Sequence, residues 1–205
     1  MNPPLIVALH GVGSSAEDMT AALHPLDAIA DVIALPGHEP FDNSDSGRQW
    51  FSVLGVTEGN RSTRTTAALP ALIAKLDQLA VTRNIRRDDI ILLGFSQGAI
   101  MTLAAVAGGY HRGRAISIAG RLAVPVSPAL DRQAEILVVH DADDQIMPSG
   151  LSLEAAAALS HADNTVEIVE TAGVGHGIGA ATLDAIGAWL TRHHQSAYSP
   201  IALEG

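Results

Sequence analysis

Three kinds of side chain in this sequence could together turn a hydroxyl into a nucleophile. They are Ser96 in Gly94-Phe95-Ser96-Gln97-Gly98, His176 in Gly173-Val174-Gly175-His176-Gly177, and the acidic cluster Asp141, Asp143 and Asp144. A serine hydroxyl is a poor nucleophile at neutral pH until an imidazole takes its proton, and the imidazole needs a carboxylate to hold its tautomer. With 19 glycines in the chain, a G-x-S-x-G match is weak by itself. Its setting makes it specific. Ile90-Ile91-Leu92-Leu93 reads as a strand buried on both faces, and Ala99 to Ala107 as the small-residue helix that follows. A serine on so sharp a turn is forced into a strained backbone that lifts its hydroxyl above the sheet edge, and the flanking glycines let strand and helix approach. The alternative is an ordinary strand-to-helix turn.

The surrounding elements must bring these residues together. Leu5-Ile6-Val7-Ala8-Leu9 is a short apolar run that enters the glycine-rich loop His10-Gly11-Val12-Gly13-Ser14-Ser15. Ser15 can cap a helix from Ala16, with Glu17 and Asp18 favouring its dipole, so the loop's amides lie beside a helix start and suit developing negative charge. A phosphate-binding P-loop would require a lysine after the glycines, and none is there. His10 is expected to pack inward and shape this loop. Asp31 to Leu35 is a second strand, and His38 to Arg61 reads as a long, polar, functional loop carrying Trp50 and Phe51. That aromatic pair is expected either to line an apolar groove or to anchor the loop.

Leu69, Leu72, Ile73, Leu76 and Leu79 form one stripe, which predicts a helix from Ser62 to about Thr82, with Pro70 marking a kink or a later start. Arg83 to Asp89 is a charged, solvated connection. Further strands are expected at Arg114–Ala119, Glu135–His140 and Thr165–Glu170, and helices at Gly150–His161 and Ile178–His193; Arg121 to Gln133 is irregular. The alternation predicts an α/β architecture: an open, mostly parallel sheet flanked by helices, with functional loops at the strands' carboxyl ends. His193 and His194 read as a solvated helix end, and Ala197 to Gly205 as a tail without helical pattern.

Composition narrows the chemistry. At 205 residues the chain fits a single domain, 1–205, with a tail from about 195. There is no cysteine, which excludes a thiol nucleophile, a disulfide framework and a thiolate zinc site. A formal net charge of −10 argues against nucleic acid and anionic membranes as partners. The first basic residue is Arg48, so the start of the chain lacks the positive region of a secretory signal, and a cytoplasmic protein is expected. No stretch is long enough to span a bilayer. A calcium loop counted from Asp141 would require glycine and glutamate where Ile146 and Ser152 stand, so no metal site and no cofactor are expected.

The chain order serine, aspartate, histidine is that of α/β-hydrolases. More specifically, the chain resembles the phospholipase/carboxylesterase group of that fold, which includes acyl-protein thioesterase-like enzymes. Leu9-His10-Gly11-Val12-Gly13 resembles the family's oxyanion loop and Arg48-Gln49-Trp50-Phe51 its motif before the long helix. Gly94 to Gly98 resembles its nucleophile elbow, Gly175-His176 its histidine loop, and His140 to Pro148, in part, its H-G-x-x-D-x-x-V-P run. The resemblance implies an α/β-hydrolase fold with no large lid. It places the acid at Asp144, with Asp143 and Asp141 as alternatives, and the oxyanion donors at the backbone N–H of Val12 and Gln97. Side chains at 12 and 97 are expected to matter less than their backbones. Asp141 stands where the family usually has glycine, Ser14 where an aspartate often follows, and Met147 where valine is usual.

The expected activity is hydrolysis of small-molecule acyl esters or thioesters through an acyl-enzyme on Ser96. Val12, Trp50, Phe51 and Ile146 are the groove candidates. A homodimer is left open. The competing expectation is a non-catalytic ligand-binding or interaction module on the same fold, which would not react with a fluorophosphonate.

Overall fold

In the computed structural model, residues 3–127 and 133–196 are described, the side chains of 194–196 excepted. The expectations for Met1-Asn2, for part of the irregular stretch before Gln133, for the His194 side chain and for the 197–205 tail lie outside them. A six-stranded, fully parallel sheet forms the centre, in the order β2-β1-β5-β6-β7-β8. Its strands are β1 (Leu5–Leu9), β2 (Asp31–Leu35), β5 (Ile91–Phe95), β6 (Arg114–Ile118), β7 (Glu135–Asp141) and β8 (Thr165–Thr171). Helices α1 (Ala16–Leu23), α2 (Glu58–Arg83), α3 (Gln97–Ala107), α4 (Ser149–His161) and α5 (Ala180–Ser196) flank it. β1 is buried along its whole length and β5 along all but its last residue, as continuous apolar runs in a doubly covered sheet must be.

The chain steps outward from β1 to β2, then returns to the other side of β1 with β5 and continues to β8. That reversal leaves a crevice beyond the carboxyl ends of β1 and β5, where open α/β sheets bind ligands. Only Ser96 separates β5 from α3. All eleven residues of α3 are buried, and the turn is this tight because a Cβ at Gly98 would collide with the Leu9 carbonyl, and one at Gly94 with the backbone of Gly98.

The segment from His38 to Arg61 is more ordered than its pattern predicts. β3 (Glu39–Pro40) and β4 (Arg48–Gln49) pair antiparallel within it. α2 starts at Glu58, four residues before the apolar stripe announces it, because the Asn60 carboxamide accepts the Thr57 N–H at 2.8 Å and closes the first turn. Pro70 neither ends nor delays the helix. Residues 66 and 70 are both exposed, so water can solvate the carbonyl that Pro70 leaves without a donor.

The carboxyl-terminal helix end also departs from expectation. The His193 ring is only 18% exposed, stacks on Trp189 with centroids 4.5 Å apart, and bridges Glu135 Oε2 at 3.1 Å and Glu167 Oε1 at 3.0 Å. It is a docking contact of α5 on β7 and β8, not a solvated end. The two glutamates lie far away in sequence, so no local pattern names them as partners. The bond from His193 holds the Glu167 carboxyl below its ordinary range, aided by Arg192 and opposed by burial. Among the described residues, no helix is long and apolar enough to cross a membrane.

Candidate active site

Ser96 sits at φ 53° and ψ −115°, outside the regions that L residues ordinarily occupy. Its amide donates to the Ile118 carbonyl at 3.0 Å, which ties the turn to the end of β6. The Ser96 hydroxyl lies 2.9 Å from His176 Nε2, and His176 Nδ1 lies 2.7 Å from Asp144 Oδ2. A carboxylate can only accept, so Nδ1 carries the proton and donates it to Asp144, leaving the Nε2 lone pair to accept the serine hydroxyl. The Phe95 ring lies 5.0 Å from the imidazole at 37°, packed against it from the strand side. Of the three candidate acids, Asp144 is the one that touches His176. Its other oxygen accepts the N–H groups of Ile146 and Met147, each at 2.8 Å, so the carboxylate is held at both ends and buried.

Asp141 and Asp143 do something else. Asp141 is buried at the end of β7, and its carboxylate accepts from the amides of Asp143, Val174 and Gly175 and from the Thr171 hydroxyl. Burial acts to raise this carboxyl. The bonds from Asp143, Gly175, Val174 and Thr171 outweigh it and hold the group below its ordinary range. Asp143 Oδ2 accepts the Gly173 N–H at 2.8 Å.

The glycine-rich loop after β1 is braced from the side. Gly13 N–H donates to the Arg48 carbonyl and Arg48 N–H to the Ser14 carbonyl, both at 2.8 Å, a bridge that extends from β4. The departure at Ser14 is accommodated, its hydroxyl donating to Asp18 in α1. Gly13 and Ser14 amides are thus occupied, the latter by Gly11 O. Among the described residues, no protein acceptor faces the N–H of Val12 or of Gln97. His10 is fully buried, accepting Gly37 N–H at Nε2 (2.9 Å) and donating from Nδ1 to Gly11 O (2.7 Å). Burial pushes this ring below the ordinary histidine value, the Gly11 bond acting in the opposite sense.

Trp50 lines no groove. It is fully buried, with its indole N–H on the His10 carbonyl at 2.8 Å, because a buried tryptophan needs an acceptor for that proton. It is the loop anchor of the two expectations. Phe51 is also buried, and the hollow it borders with His38, Ser52, Arg64 and Ala71 does not include Ser96 or His176. Ile146 and Val12 do stand exposed, and so does Val174, which sequence reasoning missed. These three aliphatic side chains sit on the three loops around Ser96. The Gln97 side chain has a structural task of its own beside its backbone amide. It is buried, accepts Trp50 N–H at 2.8 Å and donates to Phe51 O at 2.7 Å. The signal for it was present, since a carboxamide next to the elbow and inside the core must find partners.

The architecture is that of an α/β-hydrolase without a large lid, and comparison with known proteins narrows the class. The phospholipase/carboxylesterase family profile matches residues 2–194. The chain belongs to that family and is a serine hydrolase. It is 34% identical over 180 residues to the esterase YpfH of Escherichia coli (strain K12), covering 85% of this chain and 76% of the relative. Among solved structures, esterase PE8 superposes with a TM-score of 0.81 at 26% identity, covering 93% of each chain. Arabidopsis thaliana SOBER1 shares the fold, with a TM-score of 0.76 at 22% identity over 94% of this chain and 99% of its own.

Proposed function

We propose that the protein is a serine carboxylic-ester hydrolase, one domain over 1–205, that cleaves acyl esters or thioesters of small molecules with Ser96 as nucleophile, His176 as base and Asp144 as its partner. The observation that carries this reading is the unbroken bond chain Ser96 Oγ, His176 Nε2, His176 Nδ1, Asp144 Oδ2, with links of 2.9 and 2.7 Å. Ser96 Oγ attacks the acyl carbon while its proton passes to His176 Nε2. The negative charge on the carbonyl oxygen is met by the amides of Val12 and Gln97, each such donor being worth roughly 3 kcal/mol. The tetrahedral adduct collapses, the C–O or C–S bond breaks, and the imidazolium protonates the departing alkoxide or thiolate. Water then repeats the sequence on the acyl-enzyme, with His176 again taking and returning the proton.

Exposed Val12, Ile146 and Val174 favour an apolar acyl chain over a charged one. Similarity to YpfH and PE8, both described as esterases, supports ester substrates. The test pairs a fluorophosphonate probe with p-nitrophenyl esters of increasing chain length. Wild-type protein should label and turn over, and Ser96→Ala should do neither. Folded wild type that resists the probe would favour the non-catalytic module instead.

A further inference from the structure

The three amides immediately before His176 all point at carboxylates at the end of β7 or in the loop that follows it. Gly173 N–H donates to Asp143 Oδ2 at 2.8 Å, Val174 N–H to Asp141 Oδ2 at 3.3 Å, and Gly175 N–H to Asp141 Oδ1 at 3.1 Å. Asp143 is at the surface, whereas Asp141 is 4% exposed and carries two further donors, Asp143 N–H at 3.0 Å and Thr171 Oγ at 3.1 Å. Both of its oxygens are doubly engaged. Asp141 and Thr171 are also register partners at the carboxyl ends of β7 and β8, so the carboxylate lies at the root of both loops. Its backbone carbonyl accepts the N–H of Asp144.

We propose that Asp141 is a positioning residue, whose buried carboxylate fastens the loop bearing His176 to the loop bearing Asp144 and so sets the imidazole between Asp144 and Ser96. The inference rests on the functional reading above only for its kinetic consequence. Gly173 and Gly175, at φ 87° and 71°, give the His176 loop a backbone that does not hold itself in place. A loop of this kind occupies many conformers unless its amides have fixed acceptors, and one side chain supplies two of them here. Glycine or alanine at 141 would leave the amides of Val174 and Gly175 to water and let His176 sample orientations away from Ser96. Asp141 itself touches neither Ser96 nor His176, so its removal should lower the competent fraction without altering substrate contacts.

The experiment compares wild type, Asp141→Ala and Asp141→Asn on p-nitrophenyl butyrate. In parallel it follows the downfield proton NMR resonance of His176 Nδ1–H, which reports the bond to Asp144 whether or not the protein turns over. Asp141→Ala should lose about 10- to 100-fold in kcat with KM within about twofold, and the downfield resonance should weaken or vanish. Asp141→Asn retains one acceptor oxygen for Asp143 and Gly175 but opposes Val174 N–H with an NH2, so it should fall between the two. A folded Asp141→Ala protein with wild-type kcat and an intact downfield resonance would overturn the proposal. So would an asparagine variant no better than alanine. Should Asp141→Ala fail to fold, Asp141→Asn decides the question by its kcat and resonance alone. Wild type without esterase activity would sink the functional reading, and the resonance would still judge the placement of His176.

Discussion

The carboxamide of Gln97 grips the backbone of Trp50, accepting its N–H at 2.8 Å while the same side chain donates to the next carbonyl, Phe51 O, at 2.7 Å. The residue whose amide closes the elbow therefore also holds down the loop whose indole supports the His10 carbonyl. Through this clasp the amides proposed to meet the oxyanion are kept in one frame.

Replacing Gln97 by alanine should orphan a buried N–H and a buried C=O, at a cost of about 1–3 kcal/mol for each group left without a partner. Urea unfolding should register this as a lower midpoint at unchanged slope, and kcat should fall as the two loops lose register. Unaltered stability would show that the clasp is decorative.

The backbone of Ser96 yields a second expectation. Strain of this type costs about 1–3 kcal/mol, and glycine removes it while adding about 0.5–1 kcal/mol of entropy in the unfolded chain. Ser96→Gly should therefore be inactive yet melt at or above wild type, whereas Ser96→Ala, inactive too, keeps the strain. Identical melting of the two variants would contradict the argument.

Acid should weaken the fold through buried His10 and half-buried His38. His10 and His38 are both held below 6.5, His10 by burial and His38 by burial with Lys75 nearby. Between the depressed native value and 6.5 the unfolded chain binds more protons, so stability rises with pH there and is lost as pH falls from about 6.5. His10 alone can contribute at most about 1.4 kcal/mol per pH unit. Urea midpoints from pH 8 to 5 check this, and a flat series would refute it.

Glu167 titrates with the same direction in a lower range. Its carboxyl is depressed mainly by His193, so the associated stability is present above about 4.5 and disappears as pH falls through the lowered native value. Glu167→Gln should cost less than about 1 kcal/mol at pH 6, because the side chain is 38% exposed and solvent screens the pair. The variant and wild type should converge once the pH has fallen below the lowered native value of Glu167.

Much of this was legible beforehand, and the gaps have a common physical origin. The parallel sheet, the elbow at Ser96 and the histidine loop follow from apolar runs that end in glycine-flanked polar residues, a local signal. The preference for Asp144 came from family resemblance, since spacing within Asp141-Ala142-Asp143-Asp144 cannot tell which carboxylate meets a ring 32 residues on. Helix α2 was seen late because its first turn is polar and its cap is a side-chain bond. The roles of Trp50, of Asp141 and His193, and of the Gln97 side chain are not legible in the sequence, for one reason. Each finds its partners across long stretches of chain, and periodicity carries no information about tertiary hydrogen bonds.

The two sides of the cleft are braced by separate means, Trp50 and Gln97 on the flank of β1 and β5, Asp141 on that of β7 and β8, with the ring of His176 reaching over to Ser96 and Phe95. The exposed residues between His38 and Thr57 can therefore vary without loosening the flank that handles the proton.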